Sequence, residues 1–275
     1  MLFSVITINR NNQDGLKKTM ESVVAQSLQD FEYIVIDGAS TDNSVDIIQQ
    51  YENQANLNWV SEPDKGIYNA MNKGIAKAQG EYVMMLNSGD CLTSNCVLND
   101  IAEQLIKTNK PDILYGNIIK VWPNGKKLRQ QNKDGNFTMF SFYRGTLNHV
   151  GTCIRRELFN SIGLYNETMK ICSDWEWFMY AVVFNNVKPV YIDIDTVYFD
   201  MTGISENGGQ NHLLITNEKR SALQKALPPA ILADYDFMGN EYPMLLRLHR
   251  HPWAYRLTHF LERCLFKLEK IKNRL

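Results

Sequence analysis

The first ninety residues alternate short apolar runs with segments of helical periodicity, and this alternation constrains the fold more than any other feature. Phe3 to Ile8 is a β-branched run followed by a helical pattern around Gly15 to Ala25. Tyr33 to Ile36 leads into Asp37-Gly38, and Ser40-Thr41-Asp42 then supplies N-cap residues for a helix from Val45 to Tyr51. Leu57 to Val60 reads as a third strand. Gly66 to Ala78 reads as a helix with Ile67, Ala70, Met71, Gly74 and Ile75 on one face, stopped by Gly80, and Glu81 to Leu86 as a fourth strand. Strands alternating with helices imply right-handed βαβ units and a mostly parallel central sheet flanked by helices, an α/β, Rossmann-like class.

Beyond residue 95 the order becomes mixed. A helix is expected from Asn95 to Thr108, and Pro123-Asn124-Gly125 signals a hairpin between Ile113–Trp122 and Lys126–Gln131. Further expectations are a strand at Val150–Arg155, a helix at Ser173–Asn185 and strands at Val187–Ile192 and Thr196–Phe199. Pro228-Pro229 marks a break, and one long amphipathic helix follows Pro252. The expected organisation is a nucleotide-binding half over 1–95, a second half over 96–243 and a C-terminal segment over 244–275.

Composition adds exclusions. A net charge of −1 and 44% hydrophobic residues exclude a disordered chain and a general nucleic-acid binder. Five cysteines without a Cys-x-x-Cys pair argue against structural zinc and fit reduced thiols. No apolar run reaches the ~20 residues of a membrane span, and no basic leader precedes Leu2–Ile8, so a cytoplasmic protein is expected. The charge is unevenly spread. Residues 244–275 hold eight Lys or Arg against two Glu, leaving twenty-one bases against twenty-eight acids elsewhere. Trp253, Leu257, Phe260, Leu261, Cys264, Leu265, Leu268 and Ile271 form an apolar stripe on this basic helix, a pattern suited to an anionic membrane surface or to docking in a homodimer.

In an open parallel sheet, ligands bind beyond the carboxyl ends of the strands. Those ends carry Thr7-Ile8-Asn9-Arg10, Asp37-Gly38-Ala39-Ser40-Thr41-Asp42 and Asn87-Ser88-Gly89-Asp90. Such residues also make turns and caps; their recurrence at successive strand ends points to one site. Neither Gly-x-Gly-x-x-Gly nor a phosphate loop ending in Gly-Lys-Ser/Thr follows the first strand. A nucleotide bound here needs another grip. Asp37 is placed for the base or ribose, and Asp90 for a divalent metal on the phosphates.

These stretches, with Ser61-Glu62-Pro63-Asp64-Lys65-Gly66-Ile67-Tyr68-Asn69-Ala70-Met71-Asn72-Lys73-Gly74-Ile75, resemble family 2 glycosyltransferases of the GT-A fold, the inverting enzymes of bacterial surface-polysaccharide synthesis. The resemblance runs from residue 3 to about 205. It implies that Asp37 meets the base or ribose of a nucleotide diphosphate sugar, with a UDP-sugar the expected donor and Thr7, Asn9 and Arg10 lining that pocket. Asp64 and Lys65 would stand on its rim, and Asn87 and Ser88 would also contact the donor. Asp90 matches the last acid of the metal-binding Asp-x-Asp motif, for Mg²⁺ or Mn²⁺. Asn87 and Gly89 occupy that motif's other positions, so metal binding assisted by substrate is expected.

For the acceptor half, the resemblance makes Asp174 the general base, which a sugar hydroxyl requires to become a nucleophile. His149 falls near the acceptor or the diphosphate, and Trp175 and Trp177 suit stacking on a sugar or packing in the core. Glu176, two residues from Asp174, is off its helical face and secondary. His212 follows Gly203-Ile204-Ser205-Glu206-Asn207-Gly208-Gly209, expected as a mobile active-site loop, where related folds place a third metal or phosphate ligand. The expected acceptor is a glycan or a polyprenyl-diphosphate-linked molecule, reached by a cytoplasmic enzyme peripheral to the membrane. A sugar nucleotidyltransferase would need a Gly-rich phosphate loop with basic residues after the first strand, which are missing. A non-catalytic carbohydrate-binding or scaffold protein is the third reading, opposed by Asp90 and Asp174 occurring together.

Overall fold

The computed structural model describes residues 1–131, 133, 135, 137–203 and 211–272. Four strands, β1 (Phe3–Asn9), β2 (Phe31–Asp37), β3 (Leu57–Ser61) and β4 (Tyr82–Met85), alternate with α1 (Gln13–Val24), α2 (Ser44–Gln50) and α3 (Ile67–Lys77). The chain continues through β5 (Cys91–Leu92), α4 (Val97–Lys107), β6 (Ile113–Val121), β7 (Lys127–Gln130), α5 (Met139–Arg144), β8 (Cys153–Arg155) and α6 (Glu157–Ser161). After these come α7 (Ser173–Met179), a π-helical turn at Tyr180–Phe184, β9 (Pro189–Asp200), α8 (His212–Ala226), α9 (Pro229–Arg250) and α10 (Pro252–Lys272).

The described strands form one nine-stranded sheet in the order β3-β2-β1-β4-β8-β6-β9-β5, with β7 paired to β6. The β3-β2-β1-β4 part is parallel throughout, whereas β8 runs antiparallel to β4 and β6. β2 is buried along its whole length and β1 nearly so, as expected of strands covered on both faces. From α1, Leu16, Met20 and Val23 pack against Phe3, Val5 and Tyr33, their spacing placing one helical face on the sheet. From β1 the chain first moves out to β2 and β3, then returns to β4 on the other side. The carboxyl ends of β1, β2 and β4 therefore flank a topological switch point, where an open α/β sheet leaves a crevice.

Two local expectations are corrected. Residues 187–199 do not form two strands; β9 runs through Asp193 and Asp195, whose charges read as a turn. Its register against β6 shifts around Asn117, and the Asn117 amide together with Arg129 engages both carboxylates, so the acids remain in the strand. The strand expected from Val150 starts only at Cys153, with Val150 making a single bridge to Met85. Gly151 between them has φ +69°, which interrupts the ladder. The helix from Ser173 changes to a π-helical turn after Met179, and α5 and α6 had no distinct sequence signal.

By contacts the chain divides into two compact units, Met1–Ala222 and Leu223–Leu275. The second holds the end of α8 with α9 and α10, which pack against each other. Trp253, Leu257, Phe260, Leu261, Leu265 and Leu268 of α10 are exposed. No helix among the described residues is long and apolar enough to cross a membrane.

Candidate active site

The crevice beyond β1 and β4 is a cavity of about 550 Å³, a size suited to a small-molecule ligand. Asn9 and Arg10 line it from the end of β1, Asn87, Ser88 and Asp90 from the turn after β4, and Asp64 from the segment before α3. Asp37 lies beneath this lining. It is fully buried, and its oxygens accept hydrogen bonds from Asn9 Nδ2 at 2.8 Å, the Ser40 N–H at 2.9 Å, Ser40 Oγ at 2.5 Å and Ser61 Oγ at 2.6 Å. One carboxylate thus braces three segments at the strand ends. Asp64 packs over Gly38, whose added Cβ would come within 2.8 Å of Asp64 Oδ2, and Lys73 Nζ holds Asp64 Oδ1 at 2.7 Å. Asn9 Oδ1 and Asn87 Oδ1 are buried without a hydrogen-bond partner. Orphaned acceptors on a cavity wall mark places where a ligand can supply the missing donor or cation.

Asp90 is 4% exposed, and its Oδ1 accepts the Asp200 N–H at 2.9 Å. Burial pushes its carboxyl up to about 7, against the opposing pull of that hydrogen bond and of His149's charge. Asp200, at the end of β9, lines the same cavity and stands against Gly89, whose added Cβ would lie 2.9 Å from Asp200 Oδ2. The Asp90 and Asp200 carboxylates offer hard oxygen donors that suit Mg²⁺ or Mn²⁺. Among the described residues, however, no group of three His, Cys, Asp or Glu could hold a metal alone. The donor set fits a cation completed by ligand oxygens.

A second cavity of about 250 Å³ adjoins the first, sharing Ile67, Asn87, His149 and Phe199 as walls. Asp174, at the head of α7, opens onto it. Asp174 Oδ2 meets His149 Nδ1 at 2.8 Å, and Oδ1 receives the Tyr68 hydroxyl at 2.7 Å. Burial alone would raise the Asp174 pKa, yet His149's charge and hydrogen bond, with help from Tyr68, hold it below the ordinary carboxylate value. Burial likewise opposes a charged His149, but the Asp174 carboxylate outweighs it and raises the imidazole above its ordinary value. The two form a mutually charged pair. Asn87 Nδ2 lies 3.4 Å from the other ring nitrogen, Nε2. Turning the Asn87 amide over would aim its orphan oxygen at Nε2, the arrangement a protonated His149 requires.

The structure thus gathers Asn9, Arg10, Asp64, Asn87, Ser88, Asp90, His149 and Asp174 around two joined cavities. Other expected residues lie elsewhere. Thr7 is buried in the sheet, donating to the Leu86 carbonyl at 2.6 Å and accepting from the Tyr33 hydroxyl. Lys65 is exposed and lines neither cavity. Trp175 borders the second cavity but is a core residue, 2% exposed, its indole donating to the Phe142 carbonyl; Trp177 is likewise buried and bonded to the Gly163 carbonyl. Glu176 turns away, accepting from Asn166 Nδ2 at 3.0 Å beside a separate small cavity. His212 stands exposed at the start of α8 and lines neither cavity. Residues 204–209 of the expected mobile loop lie outside the described residues.

Sequence reasoning assigned no role to Tyr68 and passed over Asp200 and Lys219. Asp200 carried a usable signal, an acid directly after an apolar strand run. Tyr68 carried none, since its meeting with Asp174 depends on how α3 and α7 face each other.

The family model described as Glycosyl transferase family 2 matches residues 4–163. An uncharacterized glycosyltransferase of Mycobacterium tuberculosis is 33% identical over 74% of this chain and 77% of its own. A PGL/p-HBAD biosynthesis glycosyltransferase of the same species is 27% identical over 64% and 68% respectively. Among solved structures, S. aureus TarS in complex with UDP-GlcNAc superposes with a TM-score of 0.62 at 25% identity, covering 73% of this chain but only 58% of the TarS chain. The mannosyltransferase PcManGT of Pyrobaculum calidifontis, bound to GDP-Man and Mn²⁺, shares the fold at a TM-score of 0.54 and 14% identity. Both the family match and the sheet that carries these two cavities lead to one assignment: the chain is a GT-A-fold member of glycosyl transferase family 2.

Proposed function

We propose that this chain transfers a sugar from a UDP-sugar to an acceptor hydroxyl with inversion of configuration. The observation that carries the proposal is the Asp174–His149 pair, with His149 on the wall common to a donor-sized cavity and its smaller neighbour and Asp174 opening onto the smaller one. TarS in complex with UDP and with UDP-GlcNAc supports a uridine donor.

The nucleotide sugar occupies the larger cavity. Arg10 and Asn9 flank it, Asp37 braces Asn9, and the orphan Asn9 Oδ1 accepts a donor N–H or O–H from the ligand. Asp90, with Asp200 beside it, would hold Mg²⁺ or Mn²⁺ against the diphosphate, and a bound cation there would supply charge neutralisation for the leaving nucleotide. The acceptor enters the second cavity. Asp174, ionised at neutral pH because His149 and Tyr68 favour its charged form, takes the hydroxyl proton as the oxygen attacks the anomeric carbon. Attack opposite the leaving diphosphate inverts that carbon. Protonated His149 steadies Asp174 and presents positive charge toward the donor side.

The acceptor reading is a glycan or polyprenyl-diphosphate-linked molecule of surface-polysaccharide synthesis. It is supported by α10, where exposed Trp253, Phe260 and Leu265 accompany Arg256, Arg263 and Lys267 in the pattern of a helix lying on an anionic membrane. Flotation with phosphatidylglycerol vesicles should recover the full chain and lose a variant lacking residues 244–275. Equal recovery would contradict membrane binding, and a change of oligomeric state on truncation would favour a homodimer helix instead.

Nucleotide release from a panel of UDP- and GDP-sugars with Mn²⁺ or Mg²⁺ tests the activity. Wild type should turn over one donor, while Asp90→Ala and Asp174→Asn lose at least about a hundredfold. Failure of every nucleotide sugar to bind or turn over would leave the non-catalytic reading standing.

A further inference from the structure

The second cavity carries more positive charge than proton transfer requires. Its charged lining consists of Asp174, His149, Lys170 and Lys219. Asp174 is already committed to His149 and Tyr68. The two lysines make no ion pair among the described residues.

Lys219 projects from α8, with its Nζ 5.1 Å from the centre of the Trp175 ring. Burial holds its ammonium below the ordinary lysine value. The neighbouring acid on α8, Glu218, makes no ion pair with either lysine among the described residues; its carboxylate oxygens are directed to three backbone amides. It accepts the N–H groups of Lys170, Ile171 and Cys172 at 2.6, 3.0 and 3.0 Å. This clamp fixes α8 against the segment that leads into Asp174, and so sets the position of Lys219 beside the base. A lysine stem can usually carry its head into water. Here the half-buried head sits over an indole on a cavity wall, where a cation without an ion-pair partner is costly. Lys219 lines only the second cavity, so the donor diphosphate in the first does not explain it.

We propose that Lys219, with the exposed Lys170, forms an anion subsite that binds a phosphate or carboxylate group of the acceptor, so that the preferred acceptor is an anionic molecule and not a neutral glycan. The proposal rests on the transferase reading, since it assigns the second cavity to the acceptor. Lysine is well suited to this task as a point charge for oxyanions. Ile118, Val150 and Ile215 add apolar walls to the cavity that Lys219 lines, which strengthens a charge contact made there.

The test uses the full chain with the donor cavity saturated by UDP, so that an anionic probe cannot report on the diphosphate site. Glycerol 3-phosphate, methyl glucuronide and methyl glucoside are titrated and followed by protein NMR. Wild type should bind one of the two anions and not the neutral glucoside at the same concentration, the tighter anion naming the group. Lys219→Met should weaken that binding about tenfold or more, and Lys219→Arg should restore most of it. Melting temperature and UDP affinity check the fold of each variant, and Lys219→Gln replaces Lys219→Met if the latter does not fold. Unchanged anion affinity in the uncharged variant, equal binding of the glucoside, or no anion binding by wild type overturns the subsite while leaving the donor reading intact. Absence of UDP binding by wild type removes the donor reading and the subsite with it.

Discussion

Replacing Asp90 with asparagine should stabilise the ligand-free protein while removing its turnover. Burial pushes the folded Asp90 carboxyl from 3.8 up to about 7. A carboxyl raised in the folded state contributes fully below its unfolded pKa, and that contribution is lost as pH rises through the folded value. Three pKa units at 1.36 kcal/mol each place the cost of ionising Asp90 at about 4 kcal/mol at pH 8. Asparagine avoids this cost and can still accept the Asp200 N–H that Asp90 accepts at 2.9 Å. The raised value already includes that hydrogen bond's help to the ionised form, so the gain at pH 8 is about 4 kcal/mol. At pH 5 the folded wild-type carboxyl stays protonated and only the unfolded one has ionised, so the gain should fall to about 1–2 kcal/mol. Urea unfolding in EDTA at pH 5, 6.5 and 8 measures this, followed by fluorescence of Trp59, Trp122, Trp175 and Trp177, all in the first compact unit. A variant less stable than wild type at pH 8, or a difference that does not change with pH, refutes the reasoning. The same variant should lose metal-dependent donor turnover, making Asp90 a site where function is kept at the expense of stability.

Three further outcomes follow from the geometry. Transfer should rise with pH as Asp174 ionises, below the ordinary carboxylate pKa, and fall as His149 deprotonates above its ordinary 6.5. The stability from this pair is present between those limits, lost in acid as Asp174 protonates through its depressed folded pKa and lost in base as His149 discharges through its raised one. His149→Gln should therefore be most destabilised near pH 6, and its pH–rate profile should lose the alkaline limb. Gly151→Ala places a Cβ at φ +69°, 2.6 Å from Thr196 Oγ1 and Val197 Cγ2; strain and overpacking should lower stability by about 2–4 kcal/mol in thermal unfolding. Glu218→Gln leaves one good acceptor for the amides of residues 170–172, so stability should drop by about 1–2 kcal/mol. Its effect should appear in kcat/KM for the acceptor and not in UDP affinity.

How much of this was legible in the sequence depends on where each interaction partner lies along the chain. β1, β2 and β4 are continuous apolar runs because they are covered on both faces, and that pattern is local. Their polar ends, Asn9, Asp37 and Asn87 to Asp90, follow from the same pattern. The division of labour among them does not: Asp37 is fully buried, and two of the side chains that hold it, Asn9 and Ser61, lie 28 and 24 residues away. β9 was hidden by Asp193 and Asp195, acids that look like a turn until Asn117 and Arg129 engage them across the sheet. Asp174 could be marked, but its partners Tyr68 and His149 lie 106 and 25 residues away. Lys219 belongs to a helix whose role is set by Glu218 gripping a distant backbone segment. Short-range patterns locate strands and strand ends; the charge state of a site is written in contacts that only the fold supplies.

The larger cavity should hold a nucleotide sugar, and Asp174 should act in the chemistry and not in donor binding. Calorimetric titration of UDP-GlcNAc with Mn²⁺ into wild type, Asp90→Ala and Asp174→Asn tests both points. Binding should be metal-dependent in wild type, weakened by about tenfold or more in Asp90→Ala and unchanged within about twofold in Asp174→Asn, which nonetheless should fail to transfer. No binding of UDP-GlcNAc or any other nucleotide sugar by wild type, or full transfer by Asp174→Asn, would contradict these expectations.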